Sequence, residues 1–332
     1  MMNISIDCNN VSLELLESQK YKNMEVVPVK IKRNGNRDYL TLKRGINAGI
    51  VEISECEVST VGTVLAKNNS GIPLLLIDGD EILGAMQNRI MNRSLLIPPH
   101  TRMSVSVSCT EQGRWHYGRR DDIHYGKRDD RVNFYSSSEA ADFSTRRAKS
   151  RDLYERGSCQ SAVWDSIQKL EDRTEFKSRT SALNDNFRNH RPRLDEYLRN
   201  FRLEYGQSGG IFLINGEIKG FELFANPSIY QDYHEKIFRS YIMEAIVDYR
   251  PNYCSDNIYG FLREISHSEF RTSPSKGIGR HLQFANCYGY GAALFDGCSL
   301  VHLNYFNNGK SRTIRRNPGR RYGTFRDFVD SC

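Results

Sequence analysis

At 332 residues the chain is long enough for one large domain or two ordinary ones, and its 39% hydrophobic and 11% aromatic content excludes a disordered chain. Lysine and arginine number 47 against 40 acidic residues, a formal +7, which is too mild an excess to name a partner by itself. No run approaches the roughly eighteen apolar residues of a membrane span.

Residues 1–23 form a leading segment. It opens "MMNISIDCNN" and shows no basic stretch followed by an apolar one, so no secretory signal is read there. The eight cysteines form no C-x-x-C pair and none has partners at zinc-finger spacing. A reduced, cytoplasmic protein is the expectation.

From 24 to 115 the chain reads as a first β region. "EVVPVKI", "GIVEISE", "TVLAK", "PLLLID", "EILGA", "SLLIPP" and "MSVSVSC" are short, β-branched and separated by turn residues. Residues 116–135 hold a direct duplication, "HYGRRDD" then "HYGKRDD", best read as an exposed loop or hairpin tip. Residues 136–205 read as a polar helical segment. Ser158 is placed to cap a helix carrying Val163, Ile167 and Leu170 on one face. Residues 209–306 read as a second β region with one long helix, Asn226 as its N-cap and Pro227 as its first residue. The tail, 307–332, carries seven basic residues and no acid between Lys310 and Arg326.

Three Asx-Gly pairs, Asp78-Gly79, Asn215-Gly216 and Asp296-Gly297, each sit between hydrophobic runs. Such pairs suit two-residue type I′ turns, whose twist matches that of paired strands. They predict three β-hairpins. The fold class expected is therefore α+β: β-rich, with two antiparallel sheet regions built on hairpins and joined by a helical segment.

Polar residues concentrate after the first Asx-Gly pair. Gln87, Asn88, Arg89 and Asn92 lie between apolar strands, and Glu111, Gln112, Arg114 and Trp115 follow another. Amides and guanidinium groups hydrogen-bond phosphate and ribose, and an indole offers a stacking face. The plainer alternative is that these groups tie loops to one another, with Glu111 and Arg114 as an internal pair. Cys109 ends an alternating strand and reads as a buried thiol rather than a nucleophile. "KGIGRH" at 276–281 reads as a turn.

The stretch "LLLIDGDEILGAMQNRIMNRSLLIPP…SVSVSCTEQGRW" resembles the ARPP family, the ADP-ribosylglycohydrolase-and-rhodanese-phosphatase-associated protein domain. The resemblance rests on Asp78, Gly79, Glu81, Gly84, Ala85, Gln87, Asn88, Arg89, Asn92, Pro98, Ser108, Cys109, Glu111, Gln112, Gly113, Arg114 and Trp115. It continues more weakly through Gln160, Val163-Trp164, "GEIKGFELFANPSIY", "GIGRHLQF" and "VHLNYF", covering about 24 to 306. Asp80 and Arg280 depart from the pattern, and the duplicated tract and the tail look like additions. The resemblance implies a link to ADP-ribose and NAD-derived metabolism and to conflict or phage-defence systems. It establishes no catalytic mechanism.

Two functions follow as expectations. The first is binding, and hydrolytic processing, of an ADP-ribose- or NAD-derived nucleotide. Arg89 and Arg114 would neutralise phosphate. Gln87, Asn88, Asn92 and Gln112 would read ribose or base, Trp115 would stack, and Glu111 would be the general base. No cofactor is required, although a divalent cation on Glu111 with Asp78 or Glu81 stays open. The second is a non-enzymatic module that binds nucleic acid or a partner protein through the basic tail and the 116–131 loop. The sequence leaves the oligomeric state open.

Overall fold

The computed structural model describes residues 12–33, 37–60, 62–85, 87–112, 134–250, 256–308 and 323–324. A ten-stranded antiparallel sheet dominates it. Its central strands are β13 (Gly209–Ile214), β14 (Glu217–Phe224), β17 (Gly289–Asp296) and β18 (Ser299–Asn307), in the order β13-β14-β18-β17. Beyond β17 follow β16 (Arg280–Ala285), β15 (Glu269–Pro274) and β19 (Gly323–Thr324). At the other edge stand β3 (Met24–Arg33) and β1 (Ser12–Leu15), with β2 (Gln19–Tyr21) also on β3.

That edge changes the expected partition. The strand at 24–33 leaves the first β region and pairs with the second, Val27 opposite Ile211 and Met24 opposite Ile214. Its alternation puts Met24 and Val26 on one core and Val27 and Val29 on another, so both faces need a covered position inside the large sheet. The rest of the first region builds two smaller sheets. A six-stranded one runs β12 (Phe134–Ala140), β8 (Asp80–Gly84), β9 (Arg89–Met91), β11 (Thr101–Cys109), β6 (Thr63–Asn68), β5 (Val51–Thr60). A three-stranded one runs β10 (Leu95–Ile97), β7 (Leu74–Leu76), β4 (Leu40–Thr41), with β4 and β7 parallel. The fold is α+β and β-rich, with three sheets where two regions were expected.

The three Asx-Gly pairs part company. Asn215-Gly216 makes the expected hairpin: Ile214 pairs with Glu217, with φ +53° and +75° at the turn. At Asp296-Gly297 the turn sits one residue later. Asp296 stays in the strand opposite Ser299, and Gly297 takes the positive φ. Asp78-Gly79 makes no hairpin. β7 and β8, on its two sides, join different sheets. Gly79, at φ +78°, lies against Arg146, where a Cβ would come within 2.7 Å of Nε, so a side chain there would displace a buried cation.

Helices fill the space between sheets. Besides α1 (Leu42–Asn47) they are α2 (Phe143–Glu155), α3 (Gln160–Thr174), α4 (Leu183–Asn189), α5 (Arg191–Leu198), α6 (Pro227–Val247) and α7 (Ile258–Ser266). α6 starts where Pro227 predicts, and the Asn226 side chain accepts the Ile229 N–H at 3.0 Å. Tyr230, Tyr233, Ile237, Tyr241 and Ala245 are all buried along it, and Tyr241 stacks on Phe212 with centroids 4.1 Å apart. α3 begins at Gln160, one residue later than a Ser158 cap would start it, with Cys159 as its cap residue and no side-chain cap bond. Its first residue, Gln160, grips β11 instead: Oε1 accepts from the Cys109 N–H at 2.8 Å and Nε2 donates to the Cys109 carbonyl at 3.1 Å. Gly277 and Gly279 belong to the β15–β16 connection. A Cβ on either would overlap a neighbouring backbone carbonyl, that of Leu96 or Phe295, so that pair serves close packing. Among the described residues no helix is long and apolar enough to cross a membrane.

Candidate functional site

The polar residues singled out in the sequence converge, but on one another. Arg89 starts β9 with no accessible surface. Its Nη2 reaches Glu55 Oε1 on β5 at 3.2 Å, and Nη1 donates to Cys109 Sγ at 2.9 Å. Gln87 donates to the Glu111 carbonyl at 2.8 Å and accepts from the Cys109 thiol at 3.0 Å. Burial pushes that thiol up to about 11, so it stays protonated and donates. Asn88 Oδ1 accepts the Gly84 N–H at 3.2 Å, and the Asn88 N–H points to Glu111 Oε2 at 3.4 Å. Glu111, also without accessible surface, accepts the Thr180 hydroxyl on Oε1 at 2.8 Å. Asn92 donates to Ser106 at 3.0 Å and accepts from Ser108 at 2.7 Å. Side chains engaged this fully hold β8, β9 and β11 in register. Gln112 is exposed and lines a separate groove of about 420 Å³ with Trp164 and Lys177. Arg114, Trp115 and the 116–130 duplication lie outside the described residues, as does the tail apart from residues 307–308 and Gly323–Thr324.

A divalent cation does not fit the carboxylates named for it. Glu111 is engaged as above. Glu81 accepts from Thr110 at 3.2 Å, Ser137 at 3.0 Å and Asn184 at 2.9 Å, and Asp78 pairs with Lys149 at 2.5 Å. No group of three or more His, Cys, Asp or Glu among the described residues is arranged to hold a metal. Glu81 instead has a consequence for stability. Burial pushes its carboxyl from 4.5 up to about 7. The folded state then binds the proton more tightly than the unfolded chain. The stabilisation is complete below pH 4.5 and is lost as pH rises through 7. At about 1.4 kcal/mol per unit, roughly 3 kcal/mol should drain away across that window. Urea unfolding of Glu81→Gln from pH 4.5 to 8 should lack this decline, and a variant with the wild-type slope would refute the assignment.

A second buried cluster centres on α2. Its inner face carries Arg146 and Lys149, both without accessible surface. Lys149 Nζ bridges Asp78 Oδ2 at 2.5 Å and the Asn92 carbonyl at 2.9 Å. Arg146 Nη1 meets Glu222 Oε1 at 2.7 Å, Nε lies 3.9 Å from Asp78 Oδ1, and the guanidinium covers the Phe306 ring at 4.9 Å. Tyr241 donates to Glu222 at 3.1 Å, and His302 Nε2 stands 3.5 Å from its other oxygen. Burial alone would push the Glu222 carboxyl up, but Arg146 and His302 more than offset it, and the group sits below its ordinary range. These ion pairs tie the helix to both large sheets: Asp78 leads into β8, and Glu222 lies on β14.

The outer face of the same helix is different. Ser144, Arg147, Ala148 and Arg151 recur at helical spacing and face Ser161, Asp165, Lys169 and Arg173 on α3 across a groove of about 320 Å³. Arg156 and Asn308 complete its walls, so five cations meet two acids, Asp152 and Asp165. Arg151 and Arg156 share Asp152, and Arg173 makes a two-pronged pair with Glu244 at 3.0 and 3.1 Å. Arg147 lies over the Phe143 ring at 5.1 Å. Neither Arg147 nor Lys169 has a hydrogen bond or ion pair among the described residues. Burial pushes the Arg147 guanidinium below its ordinary range, and although Glu244 pulls it back, Arg173 and Arg151 add to the depression. Such a crowd of like charges is relieved by an anion. The expectation of a polar helical segment over 136–205 does not distinguish a solvated helix from one that walls a groove. The available signal was "STRRAKSRDLYER", a helix with cations on every side, which a solvated surface does not require.

The groove's volume falls in the range of small-molecule sites, and its polar groups converge. No curated protein and no solved structure shows significant similarity to the chain. Residues 12–306 match the model of the ARG and Rhodanese-Phosphatase-superfamily-associated Protein domain, ARPP-1, and the chain belongs to that family.

Proposed function

We propose that this protein binds an ADP-ribose- or NAD-derived nucleotide in the groove between α2 and α3. The pyrophosphate meets Arg147 and Lys169, with Arg151 and Arg156 adding positive potential. Asp165 and Ser161 accept and donate to ribose hydroxyls. The observation that carries this reading is a groove of about 320 Å³ in which two cations, Arg147 and Lys169, make no hydrogen bond or ion pair among the described residues and three more line the walls. The family's association with ADP-ribosylglycohydrolases supports the choice of ligand class. Binding is the activity proposed. Glu111, expected as a general base, is engaged in the protein's own framework, and Asp165 is the exposed carboxylate on the groove wall. In a defence or conflict setting, such a site would capture a product of NAD breakdown.

A thermal-shift panel tests the reading. NAD and ADP-ribose should stabilise the fold, by about 2.7 kcal/mol at 100 times Kd, and adenosine, which lacks the pyrophosphate, should not. A panel in which no phosphate-bearing member shifts the transition would remove the proposal.

A further inference from the structure

The opposite side of α2 carries a second feature that the nucleotide reading does not use. Where β9 runs into β10, Arg93 and Ser94 line a cleft with Ser150 of α2, His281 and Gln283 of β16, and Asp78. The cleft offers about 20 Å³, room for one water or one oxygen of a larger group. Arg93 is half-buried and has no hydrogen bond or ion pair among the described residues. The other charges nearby are already paired. Lys149 and Arg146 stand against Asp78 and Glu222, so among the described residues here three cations meet two carboxylates and the surplus positive charge is that of Arg93. Uncompensated charge away from water is costly. His281 does not supply the missing charge: burial, and then Arg93 itself, holds the imidazole down at about 4, so at neutral pH it is an uncharged hydrogen-bonding group. Asp78 keeps Oδ2 on Lys149, and its Oδ1 accepts no hydrogen bond, leaving an acceptor for a protonated oxygen.

We propose that this cleft is a separate site for a single phosphate-sized oxyanion, held by the Arg93 guanidinium with Ser94, His281 and Gln283 around it. One anion oxygen enters the cleft and a protonated one donates to Asp78. The ligand is inorganic phosphate or the terminal phosphate of a small metabolite. The small space takes a terminal phosphate and not the internal pyrophosphate of a dinucleotide, which separates this site from the groove across the helix. Cations from the two sites do not overlap, so each is tested without the other.

The test is thermal unfolding of the full chain in inorganic phosphate against sodium chloride at equal ionic strength, with methyl phosphate as a second probe. Phosphate at 10 mM should raise the midpoint of the wild type and of Arg147→Gln by about 2–4 °C. Arg93→Gln should fold with a chloride midpoint at or above that of the wild type, because an uncompensated buried charge is removed, and should lose the phosphate response. Methyl phosphate giving the same shift assigns the site to phosphate esters, and inorganic phosphate alone giving it assigns it to the free ion. The proposal is overturned if the wild type responds no more to phosphate than to chloride, or if Arg93→Gln keeps the shift. It is equally overturned if Arg147→Gln is the variant that loses it. ADP-ribose binding by Arg93→Gln reads the groove independently.

Discussion

Methionine in place of Arg146 should lower stability by about 3–5 kcal/mol, the cost of leaving a buried partner uncompensated. The side chain has no accessible surface and carries two carboxylates at once, Glu222 at 2.7 Å and Asp78 at 3.9 Å. Without the guanidinium, Glu222 keeps only the Tyr241 hydroxyl and His302. The pH dependence should change with it. In the wild type the Glu222 pKa is depressed, so its contribution is present above 4.5 and fades as pH falls through the folded value. In Arg146→Met burial dominates, the carboxyl rises above 4.5, and the variant should recover stability as the pH is lowered toward 4.5. Denaturant unfolding at several pH values reads both effects. A loss below about 1 kcal/mol with an unchanged pH profile would show that the ion pairs around α2 are not what ties the two large sheets together.

Arg89→Met is the second large effect, again about 3–5 kcal/mol, or a midpoint lower by about 10 °C at 2–4 °C per kcal/mol. Glu55 is only 9% exposed and would face an apolar side chain. Adding Glu55→Gln to Arg89→Met should recover part of the loss, because the stranded charge goes with it. The experiment separates two roles. A side chain that holds β5 to β9 shows its loss in unfolding. A side chain that held a ligand phosphate would leave the midpoint alone and show its loss in binding.

That distinction marks where the sequence stops being legible. A guanidinium among amides between apolar strands is visible in "MQNRIMNR". Whether it meets a phosphate or a carboxylate depends on Glu55, 34 residues away on another strand, and nothing local reports that contact. The Asn215-Gly216 hairpin and the start of α6 were readable because turn and cap chemistry is local: φ at Asn215 and Gly216, and one hydrogen bond from Ile229 to Asn226. The destination of β3 was not, since its pairing with β13 spans some 180 residues and any apolar strand of the right length satisfies the same pattern. At Asp78-Gly79 the local signal was present and tertiary structure overrode it. The glycine is needed to admit Arg146 rather than to turn one strand onto the next. The groove went unread for a related reason. A helix rich in arginine reads as a surface until the structure shows Arg146 and Lys149 turned inward onto carboxylates and Arg147 and Arg151 turned outward onto a groove.

The most direct measurement is a calorimetric titration of ADP-ribose into the wild type and into Arg147→Gln/Lys169→Gln. Saturable binding by the wild type is predicted. The double variant should unfold at a midpoint no lower than the wild type's, since two of five crowded cations are gone, and bind at least about tenfold more weakly, equivalent to about 1.4 kcal/mol. Equal affinity for the two proteins would place the ligand elsewhere and contradict the account.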